Sequence, residues 1–151
     1  MQAIAAGSMP SPIKEKDHNV EDTSRLAIVN TLIKYHADVH TTDLAGWTPI
    51  ALAAENNYYE IVRILIENGA NQNIQVKGYG GDTPLMIAIR KNNSQIFKAL
   101  MSAKPNLSLV NSQGRTALSF ARGYQDGEMI EALKKAGAVR CQLYEYNYSY
   151  N

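Results

Sequence analysis

Gly46-Trp47-Thr48-Pro49-Ile50-Ala51-Leu52-Ala53-Ala54 is the stretch on which the reading of this chain turns. Thr48 can cap a helix start with its hydroxyl, and Pro49 suits a first helical position, where no N–H is needed. The small residues Ala53 and Ala54 then allow close packing. The stretch returns as Gly81-Asp82-Thr83-Pro84-Leu85-Met86-Ile87-Ala88-Ile89. It returns again as Gly114-Arg115-Thr116-Ala117-Leu118-Ser119-Phe120-Ala121-Arg122. Thr48, Thr83 and Thr116 lie 35 and 33 residues apart, and self-similarity at such a period marks a repeat architecture.

A second motif follows each copy of the first: Ile61-Val62, Leu65-Ile66 and Gly69-Ala70. It recurs as Ile96-Phe97 with Leu100-Met101, and as Met129-Ile130, Leu133 and Gly137-Ala138. An earlier copy is Ile28-Val29, Leu32-Ile33 and His36-Ala37. Within one unit the spacing predicts a short helix from Pro49, broken at Asn56-Asn57, because Asn tolerates the left-handed conformation. A second helix is expected from about Tyr59 to Asn68, with Ile61, Val62, Leu65 and Ile66 as its apolar stripe. Gly69 supplies the left-handed position that closes it. The polar, Gly-rich segment that follows reads as a protruding hairpin. One such unit cannot bury both apolar faces, so the units must stack.

These features together resemble the ankyrin-repeat family, over roughly Asp22 to Val139. The resemblance implies an all-α solenoid of stacked helix-turn-helix units with short β-hairpin loops. Three to four repeats are expected, including degenerate capping units. The units are placed at about 13–43, 44–78, 79–111 and 112–139, between a tag remnant or disordered segment at 1–12 and a Tyr-rich tail at 140–151. The family pattern usually carries His after Thr-Pro-Leu. Here those positions hold Ala51, Met86 and Ser119, so stacking leans on apolar contact. Lys104-Pro105 stands where Gly69-Ala70 stands one unit earlier, and a left-handed Lys is strained, so that helix end is expected to be looser. The two extra residues before Thr83 predict a longer, flexible tip at Lys77-Gly78-Tyr79-Gly80-Gly81. Asp22 is the expected cap of the first helix. Glu128, Glu131, Lys134 and Lys135 give the last helix the polar outer side of a terminal unit.

Composition sets the remaining bounds. Hydrophobic residues make up 45% of the 151 residues and charged residues 19%, with a formal net charge of +1. That is ordinary globular composition without a global basic field for nucleic acid. Cys141 is the only cysteine; no intrachain disulfide can form, which favours a reducing, cytoplasmic setting. No apolar run approaches the roughly 18 residues of a membrane span. His36 and His40 are four apart, but the register puts one at a helix end and the other in a hairpin, so no metal site is expected. No phosphate loop, nucleophile elbow or carboxylate pair is present, and no cofactor or enzymatic role is expected. Asn73 reads as a hairpin-stabilising residue.

By resemblance, function lies in a concave face lined by hairpin tips and first helices, which binds a partner protein in the manner of a scaffold or adaptor. The register places Leu44, Trp47, Tyr79, Asp82 and Arg115 at the tips. It places Glu55, Asn56, Arg90, Lys91, Arg122 and Tyr124 at the first-helix positions. Trp47 and Tyr79 are expected as exposed aromatic anchors, the residue type that commonly dominates interfaces. The competing reading of Trp47 is packing on the neighbouring hairpin. The alternative function is nucleic-acid binding through the local Arg and Lys residues beside aromatics, which the near-neutral charge disfavours. The chain is expected to be monomeric.

Overall fold

Residues 18–138 are described by a computed structural model. The expected tag remnant, the Tyr-rich tail and Cys141 lie outside them. Among the described residues seven α-helices follow one another: α1 (His18–Lys34), α2 (Pro49–Glu55), α3 (Tyr59–Glu67), α4 (Pro84–Arg90), α5 (Ser94–Ser102), α6 (Ala117–Gly123) and α7 (Gly127–Lys135).

The short helices start as their sequence dictates. Thr48, Thr83 and Thr116 are extended, and each Oγ1 accepts the backbone N–H three residues on, at 3.3, 3.3 and 3.2 Å. Each such cap is worth about 1 kcal/mol. The short helices end where Asn57, Asn92 and Gln125 turn left-handed, at φ of 60°, 53° and 57°. The longer helices α5 and α7 are capped by the side chains of Asn93 and Asp126, which accept the N–H of Ile96 and Met129 at 2.9 Å.

The ends of the longer helices differ for a covalent reason. After α3, Gly69 N–H donates to Ile66 O and Ala70 N–H to Leu65 O. His36-Ala37 and Gly137-Ala138 repeat this pair of bonds. After α5, Lys104 is left-handed at φ 52° and donates to Met101 O at 3.1 Å. Pro105 has no N–H, so the second bond is missing. The expected looseness thus amounts to one lost bond. Gln72 Nε2 of the preceding unit donates to Ala103 O at 2.7 Å beside it.

Each helix pair lies against the next: α2 packs on α3 and α4, α4 on α5 and α6, α3 on α5, and α6 on α7. One continuous core results, in which Ile50, Val62, Ile87, Phe97, Leu100, Leu118 and Leu133 are buried. The connecting segments meet along one edge. Asn73 Oδ1 accepts Asn106 N–H at 2.7 Å, linking two hairpins. The hairpins themselves are turns: among the described residues only one antiparallel bridge forms, Val76 with Asp82.

Two expectations are corrected here. Asp22 does not cap α1, which already starts at His18; its carboxylate instead accepts from Arg25 one turn on, at 3.1 Å. The segment 77–81 is not a free protrusion. Lys77–Tyr79 coils into a 3-10 turn, and the amides of Val76, Gly78, Tyr79 and Gly81 all donate hydrogen bonds, that of Gly78 to Ala45 O at 2.8 Å. Only a glycine fits at 78, since a Cβ would sit 2.9 Å from Ala45 Cβ and 3.0 Å from Ala45 O.

Candidate partner-binding surface

Six of the residues assigned to the concave face meet in one cluster that spans two hairpin tips and two short helices. The insertion delivers Tyr79 to its centre. Trp47 lies against Tyr79 with ring centroids 4.9 Å apart and planes tilted by 45°. The Arg90 guanidinium covers the Tyr79 ring at 3.9 Å. Tyr79 Oη donates to Glu55 Oε1 at 3.2 Å, and Lys91 Nζ meets the same oxygen at 2.6 Å. Arg90 Nη2 lies 3.0 Å from Asp82 Oδ2. It makes no hydrogen bond there, so this contact is ionic rather than directional.

Asp82 departs from expectation. It is 2% exposed, so it is not a tip contact. Its second oxygen accepts from Asn111 Nδ2 at 2.8 Å. The cause is the two-residue insertion together with the loss of an Asx residue. In the other hairpins Asp43 and Asn111 fold the turn by accepting the N–H groups of residues two and four ahead. Val76 holds that place in the middle hairpin and has no such oxygen. Asp82 turns inward and is met by the next unit's Asn111. The role of Asn111 escaped the sequence reading, although its register match with Asp43 was a visible signal.

Trp47 and Tyr79 are half-buried against each other rather than exposed anchors. Glu55 and Arg90 are likewise half-buried. Arg115 lies over the Phe120 ring at 4.1 Å and is partly covered. Leu44, Asn56 and Tyr124 are exposed, and Arg122 is half-buried. The face therefore has a middle of paired charges and ring contacts, with Leu44 and Tyr124 more exposed beyond it.

Charge and burial act on two protons here. The hydrogen bond to Glu55 raises the Lys91 pKa above its ordinary value, against a smaller desolvation cost. Burial raises that of Tyr79; Arg90 opposes this and Glu55 reinforces it. Among the described residues, no group of three or more His, Cys, Asp or Glu side chains is placed to hold a metal ion. Among them, too, no helix is long and apolar enough to cross a membrane.

Comparison with known proteins agrees with the architecture. The family model for ankyrin repeats (3 copies) matches residues 20–111 and 75–143, and the chain belongs to the ankyrin-repeat family. It is similar to the human transient receptor potential cation channel subfamily A member 1, at 31% identity over 105 residues, 69% of this chain and 9% of that protein. It is similar to the NF-kappa-B inhibitor cactus of Drosophila melanogaster, at 36% identity over 104 residues, 68% of this chain and 21% of that protein. A 55-residue match to human protein phosphatase 1 regulatory subunit 27 is 42% identical and covers 36% of each chain. The chain thus spans about a third or less of the length of these relatives.

Proposed function

We propose that this chain is a protein-binding module whose concave face, from Leu44 to Tyr124, docks a partner protein. The observation that carries the reading is the cluster of Trp47, Glu55, Tyr79, Arg90 and Lys91. Side chains from successive units are held there by one another before any partner arrives. A surface ordered in advance loses less side-chain entropy on binding, so more of its contact energy appears as affinity. Relatives named as an inhibitor and as a regulatory subunit support a role exercised through binding rather than catalysis. The nucleic-acid alternative draws less support, because Arg90, Lys91 and Arg115 already face Asp82, Glu55 and the Phe120 ring.

The test compares captured proteins between the wild-type chain and face variants, using extract of the source cells and quantitative mass spectrometry. A partner bound by wild type should be lost with Trp47→Ala and with the exposed-site variant Tyr124→Ala, and kept by a control at exposed Glu67. For Trp47→Ala the expected loss is about 2 kcal/mol or more. A partner retained equally by both face variants would move the functional surface elsewhere. Salt-sensitive binding to generic DNA or RNA would favour the alternative.

A further inference from the structure

The concave face keeps its charges in pairs as far as α4 and then stops doing so. Glu55 meets Lys91, and Asp82 meets Arg90. One unit on, the register changes the chemistry. Arg115 stands at the place of Asp82, Gly123 at that of Arg90 and Tyr124 at that of Lys91. Among the described residues no carboxylate lies within ion-pair distance of Arg115 or Arg122. The acids of α7 and its cap are committed elsewhere: Glu128 to Lys98, Glu131 to Lys134 and Asp126 to the N–H of Met129. Arg115 is nonetheless held in place. Its backbone N–H donates to Asn111 Oδ1 at 3.0 Å. Its guanidinium lies over the Phe120 ring at 4.1 Å. Nη2 stands 3.2 Å from where a Cβ on Gly123 would be, so the missing side chain leaves room for it at the end of α6. The ring covers one face of the planar fork and leaves its N–H edges to an acceptor.

We propose that Arg115 receives an Asp or Glu side chain of the partner protein, with an apolar neighbour of that residue lying on Tyr124, which is 51% exposed. This rests on the reading of the concave face as a docking surface and names what the face recognises. The partner's carboxylate does for Arg115 what Asp82 does for Arg90 one unit earlier. Arg122, half-buried and without a carboxylate of its own, adds a second positive charge on the same helix. A guanidinium already ordered by a ring and a backbone bond gives up little side-chain freedom on binding, and its fork offers two parallel N–H groups to one carboxylate. Two such cations suit a single carboxylate. They are too few for a nucleic-acid backbone, where about 6–10 phosphate contacts are usual.

Random peptides displayed on phage are selected on the full chain, and the recovered sequences are remade as amidated fluorescent peptides for anisotropy titration. They should share an Asp or Glu next to an apolar residue. Replacing that acid by Asn or Gln should weaken binding to wild type at least about tenfold. Arg115→Gln should weaken the acidic peptide by a similar factor and leave the neutral peptide unchanged, which a double-mutant cycle reads as coupling. Arg115→Lys keeps the stem and the charge but not the fork, and should lose part of the acidic peptide's affinity and none of the neutral one's. The carboxylate site is overturned by peptides without an acidic preference, by equal loss of both peptides in both variants, or by recovery of no peptide. If the recovered peptides depend on Trp47 or Tyr124 but not on Arg115, the docking surface stands and this site falls. Peptides indifferent to all three residues remove both readings. Acidic peptides that bind Glu145→Gln but not wild type overturn the partner in favour of the chain's own carboxylate. Displacement of the peptides by a single-stranded DNA oligonucleotide, dependent on Arg115, hands the site to phosphate and overturns it too.

Discussion

Glu55 serves two neighbours through one oxygen, and this makes the concave cluster sensitive to alkali. Lys91 and Tyr79 both hold their protons more tightly in the fold than at their ordinary values of 10.5 and 10.0. Raised folded-state values mean that the stabilisation is complete below about pH 10 and is lost as pH climbs through the raised values. Stability measured by urea titration should therefore fall above pH 10, and Glu55→Gln should make that fall shallower. An equally steep fall in the variant would place the alkaline sensitivity outside this cluster. Elsewhere, Leu65 is 3% exposed between stacked pairs. Leu65→Ala should cost about 2–5 kcal/mol; a change below about half a kilocalorie in the same assay would remove it from the core.

Two substitutions at the level of elements should act in opposite directions. Lys104 ends α5 in the left-handed region, which costs a side-chain-bearing residue about 1–2 kcal/mol relative to glycine. Glycine there also gains freedom in the unfolded chain, about 0.5–1 kcal/mol against the fold. Lys104→Gly should thus stabilise by about 0.5–1 kcal/mol net. Gly78→Ala forces a Cβ into the Ala45 backbone and should destabilise by about 1–3 kcal/mol, as overpacking does. Thermal melts of the two variants check both signs. A neutral Gly78→Ala would mean that the middle tip stands away from its neighbour, as the count of inserted residues alone suggests.

Across the whole molecule, stability comes from contacts between neighbouring units, because no unit buries its own apolar faces. The same arrangement governs charge on the concave face. Opposite charges pair there: Glu55 faces Lys91 across units, and Arg90 faces Asp82. Arg122 and Tyr124, at the far end, are then the better probes of encounter and hold. With a partner in hand, Arg122→Glu should slow association in a salt-dependent way, and Tyr124→Ala should quicken dissociation. Surface kinetics read the two rates separately. Equal effects of both variants on dissociation alone would assign Arg122 a contact role rather than a steering one.

The sequence by itself determined the unit: the Thr caps, the Asn and Gly breaks, the apolar stripes and the period. Each of these is a local rule, set by hydrogen bonds three or four residues apart and by side-chain spacing along a helix. It also placed Trp47, Glu55, Tyr79, Arg90 and Lys91 near one face by register. Only the tertiary structure decided how they pair. Glu55 reaches Tyr79 and Lys91, and Asp82 reaches Asn111, across 24 to 36 positions of chain. Such pairings depend on the offset between stacked units, and a two-residue insertion changes that offset without changing any local pattern. The continuation of α1 through the place of a first helix is the other such case. His18 to Arg25 contain no Gly or Pro to break one long helix, and only the stack shows that Leu52 on α2 is left exposed beside it.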